Sequence, residues 1–191
     1  MTLIKSISGI RGTIGGTQSD NLTPPDIVKF TSAYAVWLHD THVKSNKIIV
    51  GRDARPSGKM IENIVVSILN SLGFDVINIG LATTPTTELA VINEKAAGGI
   101  IITASHNPKN WNALKLLNFK GEFLNADEGN RILELAEKSD FEYSKIEDIG
   151  KTIKIRNYEN NHINSILKLK LVNKEAIKGA NFKVAIDCVN S

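Results

Sequence analysis

Ser105, His106 and Asn107 stand together in the run Thr103-Ala104-Ser105-His106-Asn107-Pro108, and Lys115 follows in Asn112-Ala113-Leu114-Lys115. Phosphoryl transfer needs a hydroxyl placed in line with phosphorus and cations that absorb the charge. Ser105 supplies the oxygen. His106, Asn107 and Lys115 supply donors or a base. Arg11 lies in Gly9-Ile10-Arg11-Gly12-Thr13-Ile14-Gly15-Gly16, where four glycines in eight positions let the backbone come close to a ligand. The glycines alone read as a flexible hairpin, and their spacing fits neither a Walker loop nor a dinucleotide fingerprint. An arginine between two of them can reach a phosphate bidentately. The Ser-His-Asn-Pro run also fits an Asx-type turn that merely ends a strand. A serine hydrolase fits less well, because Gly-x-Ser-x-Gly is absent.

These residues need elements to hold them. Ile100 to Ile102 are β-branched and follow Gly98-Gly99, which predicts a buried strand ending just before Ser105. Pro108 biases Asn107 away from the helical region, so a fixed turn should carry the serine. Lys47 to Gly51 is a second buried strand, and Arg52-Asp53-Ala54-Arg55 sits at its end, where ligands gather in open α/β sheets. Arg52 and Asp53 are read as phosphate-binding or supporting residues, and an Arg–Asp pair pinning the turn is the plainer alternative.

Further elements follow from the same rules. Residues 3–8 form a short strand. A helix starts at Thr23-Pro24-Pro25-Asp26 and buries Ile27, Phe30, Tyr34 and Leu38. Another starts near Ser57, buries Ile61, Ile64, Val65 and Ile68, and stops at Gly73. Asp75 to Gly80 is a strand, and Thr83 caps a helix reaching Asn93. Leu114 to Asn118 is a strand with Lys115 near its start. Asn125-Ala126-Asp127-Glu128 caps a helix to Lys138. The link from the Ser105 loop to Leu114 is too short for a helical crossover, so one strand should run antiparallel. The fold class is α/β: a layered α/β/α domain with a mixed, mostly parallel sheet. Residues 139–156 read as a linker. Tyr158 to Leu171 reads as a helix and Phe182 to Cys188 as a strand, too little for a core. We therefore expect a first domain over residues 1–145, then a linker and the cut-off opening of a second, similar domain over 146–191.

Composition bounds the function. The chain has 191 residues, 42% of them hydrophobic and 23% charged, with a net charge of +3. Scattered basic residues argue against a nucleic-acid surface. Cys188 is the single cysteine, so no internal disulfide forms and a reducing compartment is expected. No run approaches the roughly 18 apolar residues of a membrane span. Met1 to Ser6 lack a signal peptide's apolar core. These features predict a cytoplasmic location and no membrane partner.

Three ordered blocks carry a family resemblance. Thr103 to Pro108 resembles the phosphoserine signature of the α-D-phosphohexomutases: the phosphoglucomutases, phosphomannomutases and phosphoglucosamine mutases. Ser8-Gly9-Ile10-Arg11-Gly12 resembles their N-terminal segment, and Gly51-Arg52-Asp53-Ala54-Arg55-Pro56-Ser57-Gly58 resembles a second block. Asn112-Ala113-Leu114-Lys115 matches the family's Asn-Gly-x-Lys with alanine for glycine, which should alter the loop slightly. The resemblance implies that Ser105 carries phosphate and exchanges it with C1 or C6 of a hexose or hexosamine phosphate through a hexose 1,6-bisphosphate. It implies Lys115 as general base, and neighbouring guanidinium charge favours the proton loss this requires. His106 and Arg11 handle protons or stabilise charge. Mg2+ is implied, held by the Ser105 phosphate and an Asp-x-Asp-x-Asp loop that residues 1–191 do not contain. The alternative is a non-catalytic sugar-phosphate-binding or regulatory domain with a mutase-like fold.

Overall fold

A computed structural model describes residues 1–6, 9–41 and 43–188. Ser8, the first residue of the N-terminal block, lies outside them, as does the end of the strand expected over residues 3–8. Seven strands form one sheet: β1 (Ile4–Ser6), β2 (Gly9–Thr13), β3 (Lys47–Arg52), β4 (Asp75–Leu81), β5 (Gly98–Ile102), β6 (Trp111–Leu117) and β7 (Thr152–Lys154). Their spatial order is β1-β2-β6-β5-β3-β4-β7. β3 pairs in parallel with β4 and β5, and β7 in parallel with β4. β6 is antiparallel to both β5 and β2, and β1 is antiparallel to β2. The sheet is therefore mixed, with β1 and β6 running against the other five strands. The antiparallel β5–β6 pair agrees with the short link expected between them.

Helices α1 (Pro24–Asp40), α2 (Gly58–Ser71) and α4 (Ala126–Lys138) cover one face and α3 (Thr84–Asn93) the other, while α5 (Glu159–Leu167) and α6 (Lys174–Gly179) bury no residue of their own. Successive strand residues point to opposite faces. Ile48, Val50, Ile100 and Ile102 thus pack with Phe30 and Tyr34 of α1, Val65 of α2 and Ile132 of α4. Ile49, Ile77 and Ile101 pack on the other side with Ala90 and Val91 of α3. Burial on both faces explains why β3 and β5 read as continuous apolar runs.

The helix starts follow their capping chemistry. Asp26 accepts the Thr23 backbone N–H at 3.1 Å. Thr83 Oγ1 accepts the Thr86 N–H at 3.3 Å. Asn125 and Glu128 exchange reciprocal bonds at 2.9 Å each. Each bond satisfies an N–H that the helix leaves unpaired.

Four expectations are corrected. The glycine run is no flexible hairpin, because Gly9–Thr13 is a strand paired on both sides. β6 starts at Trp111, so Lys115 lies mid-strand. Residues 139–156 are not all linker: β7 adds to the sheet edge, and Lys151 N donates to Asp75 Oδ1 at 2.8 Å. Phe182 to Cys188 forms no strand; it is exposed coil. The helix expected over Tyr158 to Leu171 is α5, ending at Leu167, and Tyr158 itself is buried under the α3 face.

Candidate active site

β5 ends at Ile102 and β6 begins at Trp111, so the hairpin between them carries Ser105. Tyr34 fixes the two strands. Its hydroxyl lies 2.7 Å from the Leu117 carbonyl and 3.2 Å from that of Gly99. Burial pushes this phenol well above its ordinary value, so it stays a neutral donor. The hydroxyl occupies the space beside Gly98, where an added Cβ would meet it at 2.2 Å.

The loop is pinned at many points. Asn107 N donates to the Ala104 carbonyl at 3.1 Å and Trp111 N to the Pro108 carbonyl at 2.9 Å. Ser105 adopts φ +56°, the left-handed region that non-glycine residues rarely occupy. Its N–H donates to Thr103 Oγ1 at 3.1 Å, and Thr103 Oγ1 in turn donates to Asp53 Oδ2 at 2.6 Å. Asp53 also accepts from Arg55, through the backbone N–H at 3.0 Å and Nε at 3.1 Å. Arg55 then reaches the serine loop, with Nη2 2.7 Å from the Ser105 carbonyl. Asn112 Nδ2 donates to Ser57 Oγ at 2.9 Å. The two blocks at residues 51–58 and 103–115 are thus joined by direct bonds.

Ser105, His106, Asn107, Arg11 and Lys115 line one pocket of about 210 Å³. Arg11 pairs with Ala113 across the β2–β6 ladder. Lys115 is two residues further on, so Arg11, Ala113 and Lys115 share a face. Arg11 and Lys115 are then diagonal neighbours, with backbones roughly 7–8 Å apart. Gly9 permits this packing: it adopts φ +123°, and an added Cβ would meet the Leu114 carbonyl at 2.3 Å. Ala113 has no left-handed backbone among the described residues. The alanine that replaces the family's glycine is a buried strand residue whose methyl forms pocket wall, rather than an altered loop position.

Among the described residues, the pocket lining contains no carboxylate. With an arginine, a lysine and a histidine around a serine, it is built for an anion. Lys115 Nζ stands 5.6 Å from the centre of the Phe123 ring, within cation–π range. Glu88 on α3 is its electrostatic neighbour: burial pushes that carboxyl up, and the Lys115 charge pulls it back.

Arg52 and Asp53 do not enter this pocket. Arg52 donates from Nε to Glu62 Oε2 at 2.7 Å and from Nη1 to the Asp53 carbonyl at 2.9 Å. Both line a separate cleft of about 360 Å³ beside Thr83 and Thr84, and Thr103 borders the cleft and the pocket alike. Larger than either, a groove of about 690 Å³ opens beside His39, Asp75 and residues 142–150. It lies at the N-terminal end of β4, away from the strand ends that carry Ser105. Sequence reasoning passed over Arg55, Thr103 and Phe123. The second arginine of Gly51-Arg52-Asp53-Ala54-Arg55 was the available signal for the first.

Among the described residues, no group of three or more His, Cys, Asp or Glu is placed to hold a metal ion. These side chains therefore do not make a Mg2+ site; a phosphate on Ser105 would be the ligand this pocket offers. No helix among the described residues is long and apolar enough to cross a membrane.

Residues 3–143 match the family model for the phosphoglucomutase/phosphomannomutase α/β/α domain I. A probable phosphoglucosamine mutase of Methanosphaera stadtmanae is 34% identical over 187 residues, covering 97% of this chain and 40% of that protein. A phosphoglucomutase/phosphomannomutase of Thermococcus kodakarensis is 37% identical over 141 residues, covering 73% of this chain and 31% of that protein. The chain spans about two fifths or less of the length of these relatives. A phosphoglucomutase/phosphomannomutase family protein of Burkholderia thailandensis superposes with a TM-score of 0.71 at 20% identity, over 90% of this chain and 38% of that one. A putative phosphomannomutase of Thermus thermophilus gives 0.70 at 25% identity, over 89% of this chain and 37% of that one. With the matched span covering most of its length, the chain belongs to the phosphoglucomutase/phosphomannomutase family, whose α/β/α domain I its residues 3–143 match.

Proposed function

We propose that Ser105 is the phosphoryl carrier of a phosphohexomutase acting on a hexose or hexosamine phosphate. The observation that carries this reading is a serine on a pinned loop in a pocket with Arg11, His106 and Lys115 and, among the described residues, no carboxylate. The family membership and the mutase names of the relatives support it. In the forward step a sugar hydroxyl attacks the phosphorus of phosphorylated Ser105. The bond from phosphorus to Oγ breaks as the bond to the sugar oxygen forms. The hydroxyl proton passes to Lys115 in its neutral form and is returned to the freed Oγ. The product is a hexose 1,6-bisphosphate, and the reverse step on its other phosphate restores the phosphoserine and completes a transfer between C1 and C6. Arg11 and His106 offset the phosphoryl charge or move protons at the same pocket.

Residues 1–145 are proposed as the phosphoserine domain and 146–191 as the passage into a second one. The matched span of residues 3–143 supports the first part, although β7 of the connecting segment pairs with β4. Mg2+ is proposed as the whole protein's cofactor, with its carboxylate ligands outside these residues. Residues 1–191 alone are accordingly expected not to turn over sugar phosphates. We also propose a cytoplasmic location.

Mass spectrometry of the protein from its source cells, before and after exposure to a hexose 1,6-bisphosphate, tests the reading. Phosphate on Ser105, absent from Ser105→Ala, is the expected result. An unmodified Ser105 under both conditions would overturn it and leave the sugar-phosphate-binding reading.

A further inference from the structure

The Arg55 guanidinium uses every N–H it has. Nε donates to Asp53 Oδ2 at 3.1 Å. Nη1 donates to the carbonyls of Pro108 at 2.7 Å and Trp111 at 3.1 Å. Nη2 donates to the carbonyls of Ser105 and Asn107, each at 2.7 Å. Four carbonyls from the start, middle and end of the serine loop thus converge on one planar cation. Its side chain is only 11% exposed. With five donors spent on five acceptors, none remains for a ligand phosphate.

We propose that Arg55 is the positioning residue of the Ser105 loop, acting with Asp53 to set the direction of the serine hydroxyl; this rests on the carrier reading of Ser105. Two anchors fix the Ser105 backbone. Its carbonyl is held by Arg55, and its N–H by Thr103, whose hydroxyl donates to the same Asp53 carboxylate that orients Arg55. The left-handed backbone at Ser105 is unfavourable for a non-glycine residue in isolation. The clamp holds the chain there against that preference. Without it Ser105 relaxes toward negative φ, which shifts Oγ within the pocket that Arg11 and Lys115 also line. The clamp contributes geometry rather than charge, because the guanidinium and the Asp53 carboxylate cancel. A lysine at 55 would keep the charge, but its three donors radiate from one nitrogen and cannot span carbonyls from Ser105 to Trp111.

Phosphate uptake forms the Oγ–P bond and breaks the bond from phosphorus to the sugar oxygen, and the hydroxyl proton ends on that oxygen. A nucleophile displaced by about 1 Å loses on the order of 100-fold in such a step. Arg55→Lys in the native-length protein is therefore expected to lower kcat about 100-fold with KM changed by less than about threefold. Amide hydrogen exchange at Asn107 and Trp111 should quicken while β3 amides stay as they were. Asp53→Asn, measured beside it, should move both readouts the same way and serves if Arg55→Lys does not fold. A folded Arg55→Lys with unchanged kcat and unchanged loop exchange would overturn the proposal, and so would a loss confined to KM. If the unaltered protein takes up no phosphate, the carrier reading fails. Loop exchange in the variants then decides the clamp separately.

Discussion

Arg52 Nε donates to Glu62 Oε2 at 2.7 Å, and that ion pair turns Arg52 away from Ser105 toward α2. The two arginines of one short block thus part company: Arg52 ties β3 to α2, and Arg55 ties it to the serine loop. Glu62 is buried and takes further bonds from Lys59 and from Asn78 Nδ2, the latter at 3.0 Å.

This arrangement makes stability depend on pH. Burial by itself raises the Glu62 carboxyl, but the bonds from Lys59, Asn78 and Arg52 outweigh it and hold the group below its ordinary 4.5. A carboxylate depressed in the folded state stabilises the fold above its unfolded value, and that stability is lost as pH falls through the folded value. Melting temperature should therefore drop on acidification below about pH 4.5, and the drop should be shallower in Glu62→Gln. That variant should also cost about 2–4 kcal/mol at pH 7, since it removes the anion facing Arg52 and Lys59. Denaturant titrations at pH 7 and pH 3.5 check both expectations, and parallel pH curves for the two proteins would refute the assignment.

The Tyr34–Gly98 contact supports a second prediction. Tyr34→Phe removes a buried donor shared by the Leu117 and Gly99 carbonyls and should cost about 1–2 kcal/mol. Gly98→Ala forces a methyl against the phenol oxygen and should cost about 2–3 kcal/mol. In the double variant the oxygen is gone, so the two costs should sum to less than the separate values. Relief is partial, because the same methyl would meet the Leu117 carbonyl at 2.7 Å. Strict additivity in urea unfolding would show that the two residues do not share this space.

Much of the molecule was legible because local rules and the final packing agree. Ile48 to Val50 and Ile100 to Ile102 are buried on both faces, so an unbroken apolar run marked each strand. Thr83 and Asn125 cap helices as their types suggest. The failures have physical causes as well. β7 is exposed along its whole length, so Thr152-Ile153-Lys154 has no alternation to read; it exists because the β4 edge offers unpaired backbone. Phe182 to Cys188 has strand composition but lies exposed as coil, so composition alone misleads there. The glycine run at residues 9–16 looked flexible until β6 and β1 paired with its first half. At the site, residue types nominated Arg11, Ser105, His106 and Lys115. The Arg55 clamp was invisible because its acceptors are backbone carbonyls, which every residue has, and only the folded hairpin gathers four of them.

Lys115 and Arg11 share a face of the pocket, and a pair of charge-preserving exchanges separates their roles. Lys115→Arg keeps the positive charge but replaces a group that can lose a proton with one that cannot. If Lys115 takes the proton from the sugar hydroxyl, this variant should lose about 100- to 10,000-fold in kcat, and the acidic limb of the rate–pH profile should vanish. Phosphate on Ser105 should persist in the purified protein, since Ser105 and its clamp are untouched. Arg11→Lys also keeps the charge but gives up the bidentate fork. It should raise KM for the sugar phosphate by about 10-fold and leave the acidic limb in place. The measurement is kcat and KM from pH 5.5 to 9 on the native-length protein and the two variants. A Lys115→Arg variant with near-normal kcat would reduce Lys115 to a charge that attracts phosphate, and the base would have to be sought at His106, which lines the same pocket.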